Sequence, residues 1–149
     1  MDRRTECACG QVFGVLEGDP VRVLACHCNY CQKRTGSVFQ VSCWYPHERV
    51  IELGGETKSF AESPDSIGVK YEFCPRCGST VHWAFDALEE AVPGISRFRG
   101  FAVGCFVDKN FPMPEIEIHT QCRHHWLPEI ENTPGFEAFA ELGVLLKDL

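Results

Sequence analysis

Short runs of apolar and β-branched residues recur along the chain, separated by glycine, proline and polar turn residues. Runs spaced at intervals of about ten residues are typical of strands in an antiparallel sheet. The pattern predicts strands over residues 12–16, 21–25, 38–45, 50–53, 57–60, 69–73, 80–85, 100–107 and 115–120. Gly54-Gly55, between the fourth and fifth runs, is a hairpin signal.

The C-terminal end has a helical pattern instead. Thr133 can cap a helix and Pro134 suits its first turn. Apolar side chains then follow at helical spacing, at Phe136, Phe139, Leu142, Leu145 and Leu146. We expect this tail to pack on the core rather than bind a partner. The predicted fold is mainly β and antiparallel, with a short C-terminal helix.

Length and charge narrow the class of protein. The 149 residues fit one domain over residues 1–149, and 44% of them are hydrophobic, as in ordinary globular proteins. The net charge of -7 argues against a nucleic-acid backbone as partner, because such binding needs excess lysine and arginine. With no secretory signal and no long apolar run in the sequence, we expect a cytoplasmic protein without a membrane partner. The oligomeric state is not predicted.

Ten cysteines are many for a chain in the cytoplasm, where thiols stay reduced. Seven of them lie in three segments, at 7–9, 26–31 and 74–77. The even total would also allow five disulfides, but the compartment and the short spacings favour metal ligation. The other three, Cys43, Cys105 and Cys122, are isolated and are expected to be small buried apolar residues.

The last segment predicts half of a closed zinc site. Cys74 and Cys77 are two residues apart and Gly78 follows, so a tight turn aims both sulfurs at one point. Cys7 and Cys9 can supply the other half, because residues i and i+2 of a strand point to the same side. We predict a structural zinc with these four ligands. The alternative, a thioredoxin-like redox pair, needs a βαβ pattern that the sequence lacks.

The middle segment predicts a second, open zinc site. Cys26, Cys28 and Cys31 can all reach one metal ion, and three protein ligands with one vacant position are typical of catalytic zinc. Alternatively, an isolated cysteine or a histidine completes a second structural site. His27 is expected to point away from the metal, and the pair at 124–125 to lie in an exposed loop.

In this order, the three segments resemble the family of glutathione-dependent formaldehyde-activating enzymes, which includes centromere protein V. The resemblance runs from residue 7 to residue 136, with a weaker C-terminal part at 103–104, 108 and 126–128. Its specific segments are Cys7-Ala8-Cys9-Gly10, Cys26-His27-Cys28-Asn29-Tyr30-Cys31-Gln32-Lys33-Arg34-Thr35-Gly36-Ser37 and Phe73-Cys74-Pro75-Arg76-Cys77-Gly78-Ser79.

The resemblance implies the same two zinc sites, with Cys26, Cys28 and Cys31 as catalytic residues. It implies an Mss4-like β fold, shared with small zinc-binding accessory factors of Rab GTPases. The implied activity is carbon–sulfur lyase chemistry that joins glutathione to formaldehyde as S-hydroxymethylglutathione. The Lys33-Arg34-Thr35 segment is then expected to contact bound glutathione, its two cations meeting the carboxylates. The same cations could instead be merely solvated.

Two departures from the family pattern concern the substrate pocket. Glu117 stands where the family tends to have histidine, and 104–108 lacks the family's usual Gly-Thr/Ser-Leu-Asp. Neither departure touches a predicted zinc ligand. A non-catalytic, zinc-stabilised binding module is the alternative function. A zinc-ribbon that binds nucleic acid is disfavoured by the negative charge.

Overall fold

The computed structural model describes residues 1–61, 69–137, 146 and 149. These residues form eleven strands and one α-helix, α1 (Asn29–Thr35), with short 3-10 turns between them. The strands are β1 (Asp2–Glu6), β2 (Phe13–Glu17), β3 (Arg22–Cys26), β4 (Gln40–Pro46), β5 (Val50–Gly54), β6 (Lys58–Ala61), β7 (Lys70–Phe73), β8 (Thr80–Ala84), β9 (Phe98–Ala102), β10 (Ile116–Ile118) and β11 (Gly135–Phe136).

The strands form two sheets. One has the order β1-β2-β5, and the other has the order β11-β10-β3-β4-β9-β8-β7-β6. All pairings are antiparallel except those of β10, which runs parallel to both β3 and β11. The prediction of a mainly β fold is confirmed, and the architecture is consistent with an Mss4-like fold. The short apolar runs in the sequence did not predict the two parallel pairings.

The predicted hairpin at Gly54-Gly55 is wrong. β5 pairs with β2 in the small sheet, whereas β6 pairs with β7 in the large one. Both positions require glycine because of close packing. A Cβ on Gly54 would overlap the Phe13 ring, and a Cβ on Gly55 would overlap the Gln11 carbonyl. The turn therefore carries the chain from one sheet to the other.

Two elements near the cysteines escaped prediction. β1 pairs with β2 along its whole length, but its sequence is charged and only Thr5 is buried. α1 has seven residues, of which only Cys31 is buried. Neither element carries enough apolar residues for periodicity to reveal it.

The core consists of three groups of buried side chains. The largest lies on the large sheet around Trp44, Trp83 and Phe98, and includes Cys26 and Cys31. A second, containing Tyr45 and Phe101, lies mainly against β3, β4 and β9. The third group consists of the side chains of Cys7, Val12, Cys74 and Val81. Four of the predicted zinc ligands, Cys7, Cys26, Cys31 and Cys74, therefore belong to the core itself.

The predicted C-terminal helix falls mainly on residues 138–145, outside those that the structure describes. Of its predicted start, Phe136 lies in β11, and the Thr133 hydroxyl donates a hydrogen bond to the Pro114 carbonyl at 3.2 Å. Within the described residues, no helix is long and apolar enough to cross a membrane.

Candidate metal centre

Four cysteines meet where the end of β1 approaches the turn between β7 and β8. The sulfurs of Cys7, Cys9, Cys74 and Cys77 all lie within 4.8 Å of one another, and we call them the four-cysteine cluster. The Cys9 sulfur lies 3.6 Å from that of Cys7 and 3.7 Å from that of Cys74. Cys7 and Cys74 are buried, whereas Cys9 and Cys77 are exposed.

Both halves of the four-cysteine cluster are tight turns that end in glycine. The Gly78 amide donates to the Cys74 carbonyl at 2.8 Å, and the Gly10 amide donates to the Cys7 carbonyl at 2.9 Å. Both glycines have positive φ, 77° and 75°, which other residues adopt only with strain. The expectation that Cys7 and Cys9 lie on a strand is wrong, because β1 ends at Glu6.

Hydrogen bonds favour thiolates in this cluster. Burial raises the pKa of Cys7, but the Val12 amide, 3.2 Å from its sulfur, and the neighbouring thiols outweigh burial and lower that pKa overall. The Ser79 hydroxyl and amide lower the pKa of Cys77 to about 5. Four convergent sulfurs, of which two favour the ionised form, are a donor set that suits zinc.

Three other cysteines meet at the C-terminal end of β3. The sulfurs of Cys26, Cys28 and Cys31 lie within 4.8 Å of one another, and we call them the three-cysteine cluster. Cys26 is the last residue of β3, Cys28 caps the N-terminus of α1, and Cys31 lies in its first turn. Cys26 and Cys31 are buried, and Cys28 is half-buried.

The cysteine spacing itself explains why a helix begins here. The Cys28 sulfur accepts a hydrogen bond from the Cys31 amide at 3.3 Å, as an N-cap side chain does. At the other end, Gly36 adopts a left-handed conformation and its amide donates to the Gln32 carbonyl at 2.8 Å. Lys33 and Arg34 lie in the last turn, where positive charge is favourable.

The pKa values of the three thiols are shifted in different directions. Hydrogen bonds from the thiols of Cys26 and Cys31 lower the pKa of Cys28 strongly, with help from the Cys31 amide and the charge of His119. The pKa of Cys26 is raised, chiefly by its hydrogen bond with Cys28. These directions make Cys28 the thiol of the three that ionises most readily, and a divalent cation would let all three sulfurs ionise.

Within the described parts of the chain, no further histidine, cysteine, aspartate or glutamate joins the three-cysteine cluster. Cys43 is buried in the second core group, and the Cys105 sulfur lies 3.7 Å from the Thr80 carbonyl. Cys122 is half-buried, and its carbonyl accepts a hydrogen bond from Gln32 at 3.0 Å. The three sulfurs thus form an incomplete donor set for tetrahedral zinc.

The structure places the predicted glutathione contacts along α1. Lys33 is exposed. The Arg34 guanidinium lies over the rings of Tyr71 and Trp83, 4.1 and 5.7 Å from their centroids, and donates to the Gln40 side chain. The Thr35 hydroxyl donates to the Cys31 carbonyl at 2.7 Å. The glutathione-binding roles of these residues stay predictions.

A segment that follows β10 was missed as part of this site. Gln32 of α1 donates to the Cys122 carbonyl, and its amide oxygen lies 3.0 Å from Nε2 of His124. The His27 amide donates to the Ile118 carbonyl at 3.0 Å, and His119 has a positive φ of 57°. The departure at Glu117, the isolated Cys122, the histidine pair at 124–125 and the weak resemblance at 126–128 were the sequence signals for this segment, and none of them indicated its contact with α1.

Comparison with known proteins gives one family and a shared fold. The family model described as glutathione-dependent formaldehyde-activating enzyme matches residues 2–122, which include both cysteine clusters. A crystal structure of a Rhodobacter sphaeroides protein, solved as a structural genomics target, superposes with a TM-score of 0.51 at 14% identity. The match covers 89% of this chain and 98% of that one. No curated protein matches the sequence significantly.

Proposed function

Because this chain belongs to the family of glutathione-dependent formaldehyde-activating enzymes, we propose that it is a zinc-dependent carbon–sulfur lyase acting on glutathione adducts. S-hydroxymethylglutathione is the adduct that the family description suggests. In the forward direction a bond forms between the glutathione sulfur and the carbonyl carbon of formaldehyde, and the thiol proton ends on the hydroxyl oxygen. The reverse reaction breaks the same bond.

One observation carries the proposal: the three-cysteine cluster has no fourth ligand among the described residues. In the proposal Cys26, Cys28 and Cys31 hold a zinc ion and leave one position for the substrate sulfur. Zinc bound there supplies the positive charge that keeps an incoming thiol ionised at neutral pH. Half-buried Cys28 marks the side from which a substrate can arrive.

The basic residues of α1 have distinct tasks in this proposal. Three thiolates on a divalent cation leave one net negative charge, and a substrate thiolate adds another. The hydrogen bond with Cys26 and the charge of the Arg34 guanidinium lower the pKa of Cys31, but Cys28 and burial outweigh them and raise it to about 12. In the proposal Arg34 therefore offsets only part of the added negative charge. In the proposal, Lys33, which is exposed, meets a glutathione carboxylate. Thr35 holds the helix end through its bond to the Cys31 carbonyl.

The four-cysteine cluster has the structural role in this proposal. Its four sulfurs fill the coordination sphere of a second zinc ion, so no position is left for a substrate. The proposal also places the protein in the cytoplasm, since that compartment keeps ten unpaired thiols reduced and supplies glutathione.

A non-catalytic binding module is the second candidate function. The observation that favours it is the exposure of Ile51 and Leu53, which are 57% and 38% accessible on β5, an edge strand of the small sheet. Exposed apolar side chains on an open strand edge are a feature of surfaces that bind other chains.

Zinc content with and without glutathione separates the two candidates. We expect two zinc ions per purified chain, one of which is lost or spectroscopically altered with millimolar glutathione. The change should be absent in Cys28→Ser, which should hold one ion. Cys122→Ser is the matched control, since Cys122 is also half-buried but joins neither cluster. Two zinc ions indifferent to glutathione would overturn the enzymatic proposal and favour the binding module.

A further inference from the structure

A buried carboxylate lies behind the three-cysteine cluster. Glu117 and His27 have side chains that are each 1% exposed, and Oε1 of Glu117 lies 2.8 Å from Nε2 of His27. The other carboxylate oxygen accepts hydrogen bonds from the Arg123 guanidinium at 3.0 Å and from the Ile130 amide at 3.1 Å. Both oxygens of Glu117 are therefore used.

The backbone places these groups beside the metal ligands. In the parallel pairing of β10 with β3, Glu117 lies opposite Ala25 and Ile118 lies opposite Cys26. The next backbone bond runs from the His27 amide to the Ile118 carbonyl. Glu117 thus reaches the ring of the residue that separates two cysteines of the cluster.

Hydrogen-bond chemistry fixes which groups donate. Taken as ionised, the carboxylate only accepts, so we assign the proton that it shares with His27 to Nε2 of the ring. Three donors, from His27, Arg123 and Ile130, converge on one carboxylate. A glutamine could not replace it, because its amide group would turn hydrogen atoms towards at least one of these donors.

The same carboxylate anchors the segment at 117–130, which lies against α1 at Gln32 and which we call the covering segment. Arg123 is 12% exposed and also pairs with Glu129 at 3.2 Å. Gln32 also joins the cysteine loop to the segment after β10, because its side-chain amide donates to the carbonyls of His27 and Cys122 at 2.7 and 3.0 Å. The loop at 26–32 and the segment at 117–130 are therefore joined by side chains as well as by strand pairing.

We propose that Glu117 is a positioning residue, which holds the loop at 26–32 and the covering segment at 117–130 as one unit and so sets the spacing of the three ligand sulfurs. The inference rests on the proposed metal site at those cysteines. Burying a carboxylate costs free energy unless hydrogen-bond donors surround it. The folded state therefore favours the arrangement in which all three donors reach Glu117.

Glu117→Gln tests the effect on metal binding, with Glu115→Gln as the matched control. Glu115 lies two residues earlier and pairs with Arg22 at 2.7 Å, but its side chain is 47% exposed. Zinc release to a chelator is followed on purified protein. We expect one of the two zinc ions to leave about 10-fold faster in Glu117→Gln, while the other ion and the control keep wild-type rates. Equal rates in all three proteins would overturn the inference.

Amide hydrogen exchange supplies a readout that does not depend on metal. We expect faster exchange in Glu117→Gln at residues 27–32 and 117–130, with no change at the four-cysteine cluster. Faster exchange everywhere would mean general destabilisation and would overturn the inference, as would no change. If the wild-type chain holds only one zinc ion, the proposed catalytic site fails, and the exchange data still decide the role of Glu117.

If Glu117→Gln does not fold, Arg123→Lys tests the same inference. Lysine keeps the positive charge but lacks the fork that spans Glu117 and Glu129. We expect a smaller acceleration of exchange over the same two segments. Wild-type exchange in both segments would overturn the inference, because the covering segment would then be held by other contacts.

Discussion

The two cysteine clusters differ in which parts of the chain they join. In the four-cysteine cluster, Cys9 and Cys74 lie 65 residues apart, so a metal there closes a long loop between β1 and the β7–β8 turn. In the three-cysteine cluster, Cys28 and Cys31 are only three residues apart, and the whole set lies in one short segment. The first cluster can stabilise the fold, whereas the second closes almost no loop.

Burial does not separate the two clusters in the way their proposed roles would suggest. The four-cysteine cluster has two exposed members, Cys9 and Cys77, and the three-cysteine cluster has none. What differs is the number of donors, since four sulfurs complete a tetrahedral site and three do not. Donor count and loop length, rather than depth, therefore separate the cluster proposed as a structural metal site from the one proposed as an open site.

Cys74→Ser should have the largest effect on stability. Cys74 is fully buried, and its loss removes a ligand from the cluster that joins distant segments. We expect the free energy of unfolding to fall by about 3 kcal/mol or more, because metal binding in such a site contributes directly to folding. Denaturant unfolding at fixed zinc concentration measures it. A loss below about 1 kcal/mol would contradict the structural role.

His82→Asn tests how much of the loss of stability at acid pH is due to a residue outside the two cysteine clusters. Burial and the neighbouring Arg99 guanidinium lower the pKa of His82 to about 4, although Glu72 acts in the opposite direction. The neutral ring is therefore favoured in the folded state, and stability is full above about pH 6.5 and falls as the pH drops towards 4.

For wild type we expect this histidine to remove about 2 kcal/mol of unfolding free energy between pH 7 and pH 5. Asparagine offers an uncharged acceptor to Arg99 in place of Nδ1, so His82→Asn should lose that much less over the same range. Parallel pH profiles of the two proteins would assign the acid sensitivity to other groups, such as the cysteine thiols.

Gly78→Ala tests the turn of the four-cysteine cluster alone. At a φ of 77° an added Cβ meets no other atom within 4 Å, so only backbone strain opposes it. We expect a loss of about 1 kcal/mol in stability with both zinc ions retained. Gly104→Ala is the control, since that position is equally open and has no positive φ. Equal losses at the two positions would exclude the turn conformation as the cause.

Cys28→Ser should have the smallest effect on stability. Serine is a favourable N-cap, so it can replace the sulfur that accepts from the Cys31 amide. We expect one zinc ion to be lost while the free energy of unfolding changes by less than about 1 kcal/mol. A loss as large as that of Cys74→Ser would remove the contrast between the two clusters.

The sequence predicted those parts of the site that depend on local spacing. Cys26, Cys28 and Cys31 meet because a strand end and one helical turn bring nearby sulfurs together. The pairing of the other four cysteines followed from the number of ligands that zinc requires, even though the expected strand geometry at Cys7 was wrong.

The missed parts depend on contacts between distant or polar segments. β1 carries charged residues because only one of its faces meets the core, so no apolar run marks it. The hairpin prediction failed because a Gly-Gly turn that leads from one sheet to another is identical in sequence to one that joins two paired strands. The contact of Glu117 with His27 joins residues 90 apart, and no local pattern encodes it.

The parallel pairing of β10 with β3 also has a consequence for the order of folding. Antiparallel neighbours can form soon after each hairpin is complete, but contacts across 90 residues form late because the loop entropy must be overcome first. During synthesis, residues 26–31 therefore emerge long before residues 117–130 can bond to this loop. The loop that carries Cys26, Cys28 and Cys31 lacks its contacts with Glu117 and the Cys122 carbonyl throughout that interval, whereas all four members of the four-cysteine cluster have been synthesised once residue 77 has emerged.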